Sequence, residues 1–254
     1  LIIMKFKGII DINKNLQPEY DNIILQKTLF LTLIYYDFFE HLNYYFKKDE
    51  ISEGIEICIK RDNLKSFEFL LNKCHKLNIE YEINNEKIWK LIVCQNGIKI
   101  IGYLVKNGLI NHYNFSLKVA SENGNLEVVK FLVEKGTKKI LDNSFEALRW
   151  ASRNGHLEVV KYLVEKGSYI HARNDESLIS ASGNGHLEVV KFLIEKGAYI
   201  HAREDDSLTI ASKNGHLEVV KFLVENGANI KAQNNYPLVM ASKNGYLEVV
   251  QYLV

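Results

Sequence analysis

In the C-terminal half of the chain, apolar positions recur at three- and four-residue intervals and then break off. Leu157, Val160, Leu163 and Val164 form one such stripe, which predicts an amphipathic helix of about three turns. Both ends are marked. Asn154-Gly155 supplies a turn with a residue free to take positive φ, and Gly167 suits a C′ cap. Glu158 in the first turn and Lys166 in the last complement the helix dipole. A second, shorter helix is predicted upstream of each Asn-Gly, over Leu178 to Ser182 and Leu208 to Ser212.

The pattern is a repeat. Ala151 to Gly167 returns almost word for word as Ala181 to Gly197 and as Ala211 to Gly227, and starts again at Ala241. Gly155, Gly185, Gly215 and Gly245 therefore stand 30 residues apart. A fixed period of this size means stacked copies of one helix–turn–helix unit. One unit buries too little apolar surface to offset an ordering cost of about 1 to 2 kcal/mol per residue, so each must lean on its neighbour. Upstream the phrase loosens. Ala120-Ser-Glu-Asn-Gly124 is nearly intact; Cys94-Gln-Asn-Gly97 is degenerate; Leu64, Phe67, Leu70 and Leu71 take the stripe positions of an earlier copy.

Gly215-His-Leu-Glu-Val-Val-Lys-Phe-Leu-Val and Gly227-Ala-Asn-Ile-Lys-Ala resemble the second helix and cap of the ankyrin repeat. The family's Thr-Pro-Leu before the first helix becomes Glu176-Ser177-Leu178 and Asp206-Ser207-Leu208, and only Tyr236-Pro237-Leu238 keeps the proline. The period is also shorter than the family's, which is about 33 residues. The resemblance implies an all-α solenoid of ankyrin-type repeats with short loops or abbreviated β-hairpin fingers. Asp206, Ser207 or Ser177 are expected as replacement N-caps. The Ile, Lys, Asn and Tyr richness looks most like ankyrin-repeat proteins encoded by giant amoeba-infecting viruses.

The expected organisation is a helical capping segment or degenerate repeat over residues 1–50. About seven repeats follow over 51–254, degenerate at 51–113, regular at 114–254 and truncated in the last. Aromatic residues crowd 21–48, a density that reads as core. The most apolar stretch, Ile23 to Phe39, carries Gln26, Lys27 and Asp37, which makes it a buried helix rather than a membrane span. Leu1 to Ile10 is a poor signal peptide. Leu1-Ile2-Ile3 precede Met4, and Val254 stops inside a second helix, so the chain reads as a fragment or an imperfectly bounded frame whose open end would fray or associate.

Charge and candidate chemistry change the picture little. The formal net charge is +1, from 32 basic and 31 acidic residues, so no excess calls for nucleic acid or an anionic membrane. Cys58, Cys74 and Cys94 lack C-x-x-C spacing and read as reduced thiols of a cytoplasmic protein, in the host cytoplasm if the chain is viral. His156, His186 and His216 lie one repeat apart, on the order of 10 Å, too far to share a zinc ion; a structural hydrogen bond to the neighbouring turn is expected. His171 and His201 read as exposed loop residues. Glu158, Lys161 and Glu165 read as a solvated face with modest pairing. No hydrolase, metalloprotease, Walker or dinucleotide motif occurs. We therefore expect no enzyme activity, cofactor, metal or small-molecule substrate.

What remains is surface. Residues shared by the copies mark the scaffold, and those that differ mark where a partner could be read. By the resemblance, fingers and first helices line the binding face, with Arg149, Trp150, Arg153, Tyr169, Arg173, Asp175, Tyr199, Arg203, Asp205, Lys213, Gln233 and Tyr236 as candidates. Tyr169, Tyr199 and Trp150 lead, since rigid aromatics anchor interfaces. The expected function is a non-catalytic scaffold for an unidentified protein, a host protein if the chain is viral. The runner-up is an adaptor for host ubiquitin ligase machinery, which needs a recruiting motif not evident in residues 1–50. Nucleic-acid binding is disfavoured because Asp175, Glu204, Asp205 and Asp206 flank Arg173 and Arg203.

Overall fold

The computed structural model describes residues 48–76, 86–95, 97–109, 113–135 and 144–254. The capping segment expected at 1–50, with the aromatic-rich stretch and the apolar run inside it, lies outside the described residues but for the last three. Every regular element among the described residues is a helix. In order they are α1 (Lys48–Lys60), α2 (Leu64–Lys76), α3 (Glu86–Cys94), α4 (Ile98–Lys106), α5 (Tyr113–Glu122), α6 (Leu126–Lys135) and α7 (Phe145–Arg153). There follow α8 (Leu157–Glu165), α9 (Glu176–Gly183), α10 (Leu187–Glu195), α11 (Asp206–Lys213), α12 (Leu217–Glu225), α13 (Ala232–Lys243) and α14 (Leu247–Leu253). None of them is long and apolar enough to cross a membrane.

Backbone proximity groups the chain into two compact units that part between Tyr103 and Leu104. In the first, Ile55, Ile59, Phe67, Leu70, Leu71, Trp89, Ile92 and Ile101 are buried. Cys58 and Cys74 are buried free thiols and Cys94 is an exposed one. Burial pushes the Cys74 thiol up, against a smaller opposing pull from a backbone hydrogen bond. The Asp62 carboxylate accepts the Ile100 N–H at 3.4 Å.

The second unit is an all-α solenoid. The first helices α5, α7, α9, α11 and α13 pack each on the next, and the second helices α6, α8, α10, α12 and α14 form a parallel layer in the same order. In α8 the buried side chains are Val159, Val160 and Leu163, while Leu157 and Val164 are only partly covered. The stripe drawn from sequence is thus one position off: a helix wedged between two neighbours and its own first helix buries a strip centred on Val160, with Val159 inside it.

Both helices of a pair end alike. At the end of α8, Gly167 N–H bonds Val164 O at 3.0 Å and Ser168 N–H bonds Leu163 O at 2.9 Å; at the end of α7, Gly155 N–H bonds Ser152 O at 3.3 Å and His156 N–H bonds Ala151 O at 2.9 Å. This double bond pattern requires a left-handed residue at the glycine, and φ is +98° at Gly167 and +76° at Gly155.

Candidate interaction surface

Among the described residues, the fingers that join one pair to the next do not form hairpins. Arg173, Asn174 and Asp175 have φ of 52°, 57° and 57°, Arg203, Glu204 and Asp205 have 49°, 58° and 66°, and Gln233, Asn234 and Asn235 have 47°, 61° and 64°. Three consecutive non-glycine residues therefore make a left-handed turn in each finger, at a cost of roughly 1 to 2 kcal/mol per residue, less for Asn and Asp. Cross-repeat bonds offset it. Asp175 Oδ1 lies 3.0 Å from His171 Nδ1 and accepts the Tyr199 N–H of the next finger at 3.0 Å. Asp205 Oδ1 repeats this with His201 Nδ1 at 3.0 Å and the Asn229 N–H at 3.1 Å.

These two aspartates are only 4 % and 5 % exposed. They stand at the N-cap position of α9 and α11 without a side-chain cap bond, which corrects the expectation of caps at Ser177, Asp206 and Ser207. The carboxylate bonds the following finger instead of its own helix. Both carboxylates are engaged within the stack.

The finger arginines are partly spent as well. Arg203 donates to Arg173 O at 2.7 Å and pairs with Glu176 at 2.6 Å; Gln233 reaches back to Arg203 O at 3.4 Å. Arg173 lies 3.3 Å from Glu146 and over the Phe145 ring. Tyr169 and Tyr199 stay outside, 64 % and 57 % exposed, each edge-on to its own histidine. Tyr236 is 41 % exposed.

On the first-helix side, Trp150 is ringed by cations. Arg149, Arg153 and Lys118 lie 4.7, 5.2 and 5.3 Å from its centroid. Arg149 pairs with Glu146 at 2.8 Å and is mostly covered. Burial would raise the Glu146 carboxyl, but the Arg149 hydrogen bond and charge, with Arg173 and Lys118 nearby, hold it below the usual carboxylate range. Arg153 and Lys213 are exposed. Lys118 was absent from the sequence candidates, although the 31-residue step from Ala120 to Ala151 puts it in register with Arg149.

The turn histidines are structural. His156 Nε2 lies 3.0 Å from Glu122 O, His186 Nε2 2.9 Å from Arg153 O, and His216 Nε2 3.1 Å from Gly183 O, each one repeat back. Their rings sit where a Cβ on Gly124, Gly155 or Gly185 would be. Burial pushes His186 below its ordinary value, against the opposing bond to Arg153 O and with help from His216 and His156. His171 and His201 are exposed yet tied to the clamp aspartates. Lys161 pairs with Glu158 at 2.8 Å on the solvated face, and Lys191 and Lys221 repeat the pairing. Among the described residues no three His, Cys, Asp or Glu side chains converge as metal ligands.

A sequence model of the family described as ankyrin repeats (3 copies) matches residues 117–204 and again 178–254, more than half of the chain. No curated protein matches it.

Proposed function

Because the chain belongs to the ankyrin-repeat family, we propose that it is a non-catalytic scaffold that holds a partner protein against its fingers and first helices. Ankyrin repeats are generally protein–protein interaction modules. The proposed surface comprises Tyr169, Tyr199 and Tyr236 on the fingers and Trp150, Arg153 and Lys213 on the first helices, with Arg173, Arg203 and Gln233 at its edge and Arg149, Asp175 and Asp205 as its support. The observation that carries this reading is the pair Tyr169 and Tyr199. They are large aromatic side chains at one place in successive copies, left 64 % and 57 % exposed while their neighbours are bonded into the stack. Rigid aromatics of this kind anchor interfaces at low entropic cost. A host protein as target, in the host cytoplasm, and the ligase-adaptor role rest on the likeness to viral ankyrin proteins. The surface favours the plain scaffold, which needs no recruiting motif.

The test is affinity capture followed by mass spectrometry, run in parallel with the full chain and with a Tyr169→Ser, Tyr199→Ser double variant whose helicity is checked by circular dichroism. A protein retained by the first and lost from the second is the expected result. Retention that ignores the substitution would remove these residues from the surface.

A further inference from the structure

The Trp150 cluster concentrates positive charge in a chain whose net charge is only +1. Arg149, Arg153 and Lys118 surround one indole, and Arg173 lies over Phe145 of the same helix, α7. Among the described residues, one carboxylate, Glu146, stands against these four cations, already shared by Arg149 and Arg173. Glu122, which occupies the place of Arg153 one copy earlier, makes no ion pair with it among the described residues. What the structure records there is the Glu122 carbonyl, accepting from Asn154 and facing His156. Among the described residues the Arg153 side chain is thus recorded against the ring alone, and Lys118 against the ring and the charge of Glu146 that it shares with the two arginines. The ring attracts cations through its quadrupole, by roughly 0.5 to 1 kcal/mol at such exposed sites, but it does not neutralise them. In the next copy the places of Trp150 and Arg153 are taken by Ser180 and Gly183, which add no charge and little bulk.

We infer that this cluster is the docking point for a short acidic segment, rich in Asp or Glu, of the partner protein. The inference rests on the scaffold reading above and gives the partner its chemistry. The guanidinium of Arg153 offers the planar fork that matches a carboxylate bidentately, and Lys118 supplies a second charge across the indole. From Phe145 to Arg153 α7 runs about 12 Å at 1.5 Å per residue, the reach of three or four extended residues. A peptide is favoured over nucleic acid because the charge is compact. Phosphates continuing along the stack would meet Glu176, Glu204 and Asp206, which follow on the next fingers and helices.

The test measures fluorescence anisotropy of labelled, end-blocked peptides with the full chain. One peptide is made of Glu and Ser; its counterpart has Gln for every Glu; a single-stranded DNA oligonucleotide is the third probe. The Glu peptide is expected to bind, and Arg153→Glu or Lys118→Glu to weaken it roughly ten-fold each, as charge reversal at a contact does, with Arg153→Lys, which keeps the charge but loses the fork, falling between the parent chain and Arg153→Glu. Both positions are at the surface, and circular dichroism checks that the fold persists. Absence of Glu-peptide binding would overturn the inference. Equal binding of the Gln peptide, indifference to both reversals, or tighter binding of the DNA would overturn it too. A captured protein lost from the Tyr169, Tyr199 variant but held by both charge reversals would sink the acidic segment and leave the scaffold standing.

Discussion

Residues 168–227 and residues 228–254 carry nearly the same words, and their environments diverge. Ile179 and Thr209 are 4 % and 5 % exposed, while Val239, in the same place of the last copy, is 50 % exposed. Asp175 and Asp205 are buried and clamp the next finger; Asn235, their counterpart, is exposed. Gly185 and Gly215 each lie under a ring of the following copy, His216 or Tyr246, whereas Gly245 has nothing within 4 Å of its Cβ direction. Yet the backbone is alike throughout. Gly185 and Gly245 have φ of 77° and 78°, and Gln233 to Asn235 make the same left-handed turn without an Asp–His clamp. Conformation is therefore written within each copy, and the stabilising contacts come from the next, which is the nearest-neighbour energetics of a stack.

The sharpest way to break that comparison is one substitution made in both settings. Gly185→Ala strains a left-handed residue, at about 1 to 2 kcal/mol, and drives its methyl into His216, whose bond to Gly183 O is worth about another 1 kcal/mol. A loss of roughly 2 to 3 kcal/mol follows in urea denaturation, against about 1 to 2 kcal/mol for Gly245→Ala, which meets only the backbone strain. Equal losses would mean that the histidine seat contributes nothing.

A smaller effect is expected at the fingers. Asp205→Ala leaves the Asn229 N–H and His201 without their shared acceptor, at about 2 kcal/mol for a bond to a charged group, whereas Asn235→Ala should stay within about 0.5 kcal/mol. Denaturation midpoints of the two variants decide the matter, and a costly Asn235→Ala would show that the third finger has a support of its own.

The smallest effect is pH dependence through His186. Its folded value is depressed below the ordinary 6.5, chiefly by burial, so as pH falls the unfolded chain takes up the proton first. The stability it contributes is complete above that ordinary value and is lost as pH drops through it toward the lower folded value. Melting temperatures at about pH 7.5 and about pH 5.5, which bracket histidine titration, should differ less in His186→Tyr, the residue the last copy carries there, than in the parent chain. An unchanged difference would place the pH response elsewhere.

Much of the fold was legible because its determinants are local. The apolar spacing gave the helices, and Gly155 and Gly167 gave the turn and the cap, since a glycine in the left-handed region followed by a six-residue hydrogen-bonded loop is a property of a short stretch. The finger was harder to read. Arg-Asn-Asp and Arg-Glu-Asp contain no glycine, and nothing in their composition announces three left-handed residues in a row. For the surface, variability between copies pointed to Arg153, and aromatic character on the fingers pointed to Tyr169 and Tyr199; all three are exposed. Variability also pointed to Asp175 and Asp205, which differ from the last copy because they are bonded where Asn235 is not.

The chain's own words determined the period, the helices, their C-terminal glycine caps and the family. Only the stacking decided what each polar residue is for: Asp175 meets the Tyr199 N–H 24 positions on, and His156 meets Glu122 O 34 positions back. Separations of that length carry no local signature. A carboxylate or an imidazole has the same appearance in sequence whether it faces solvent or a neighbour's backbone, and burial, which tells the two apart, is set by the adjoining repeat.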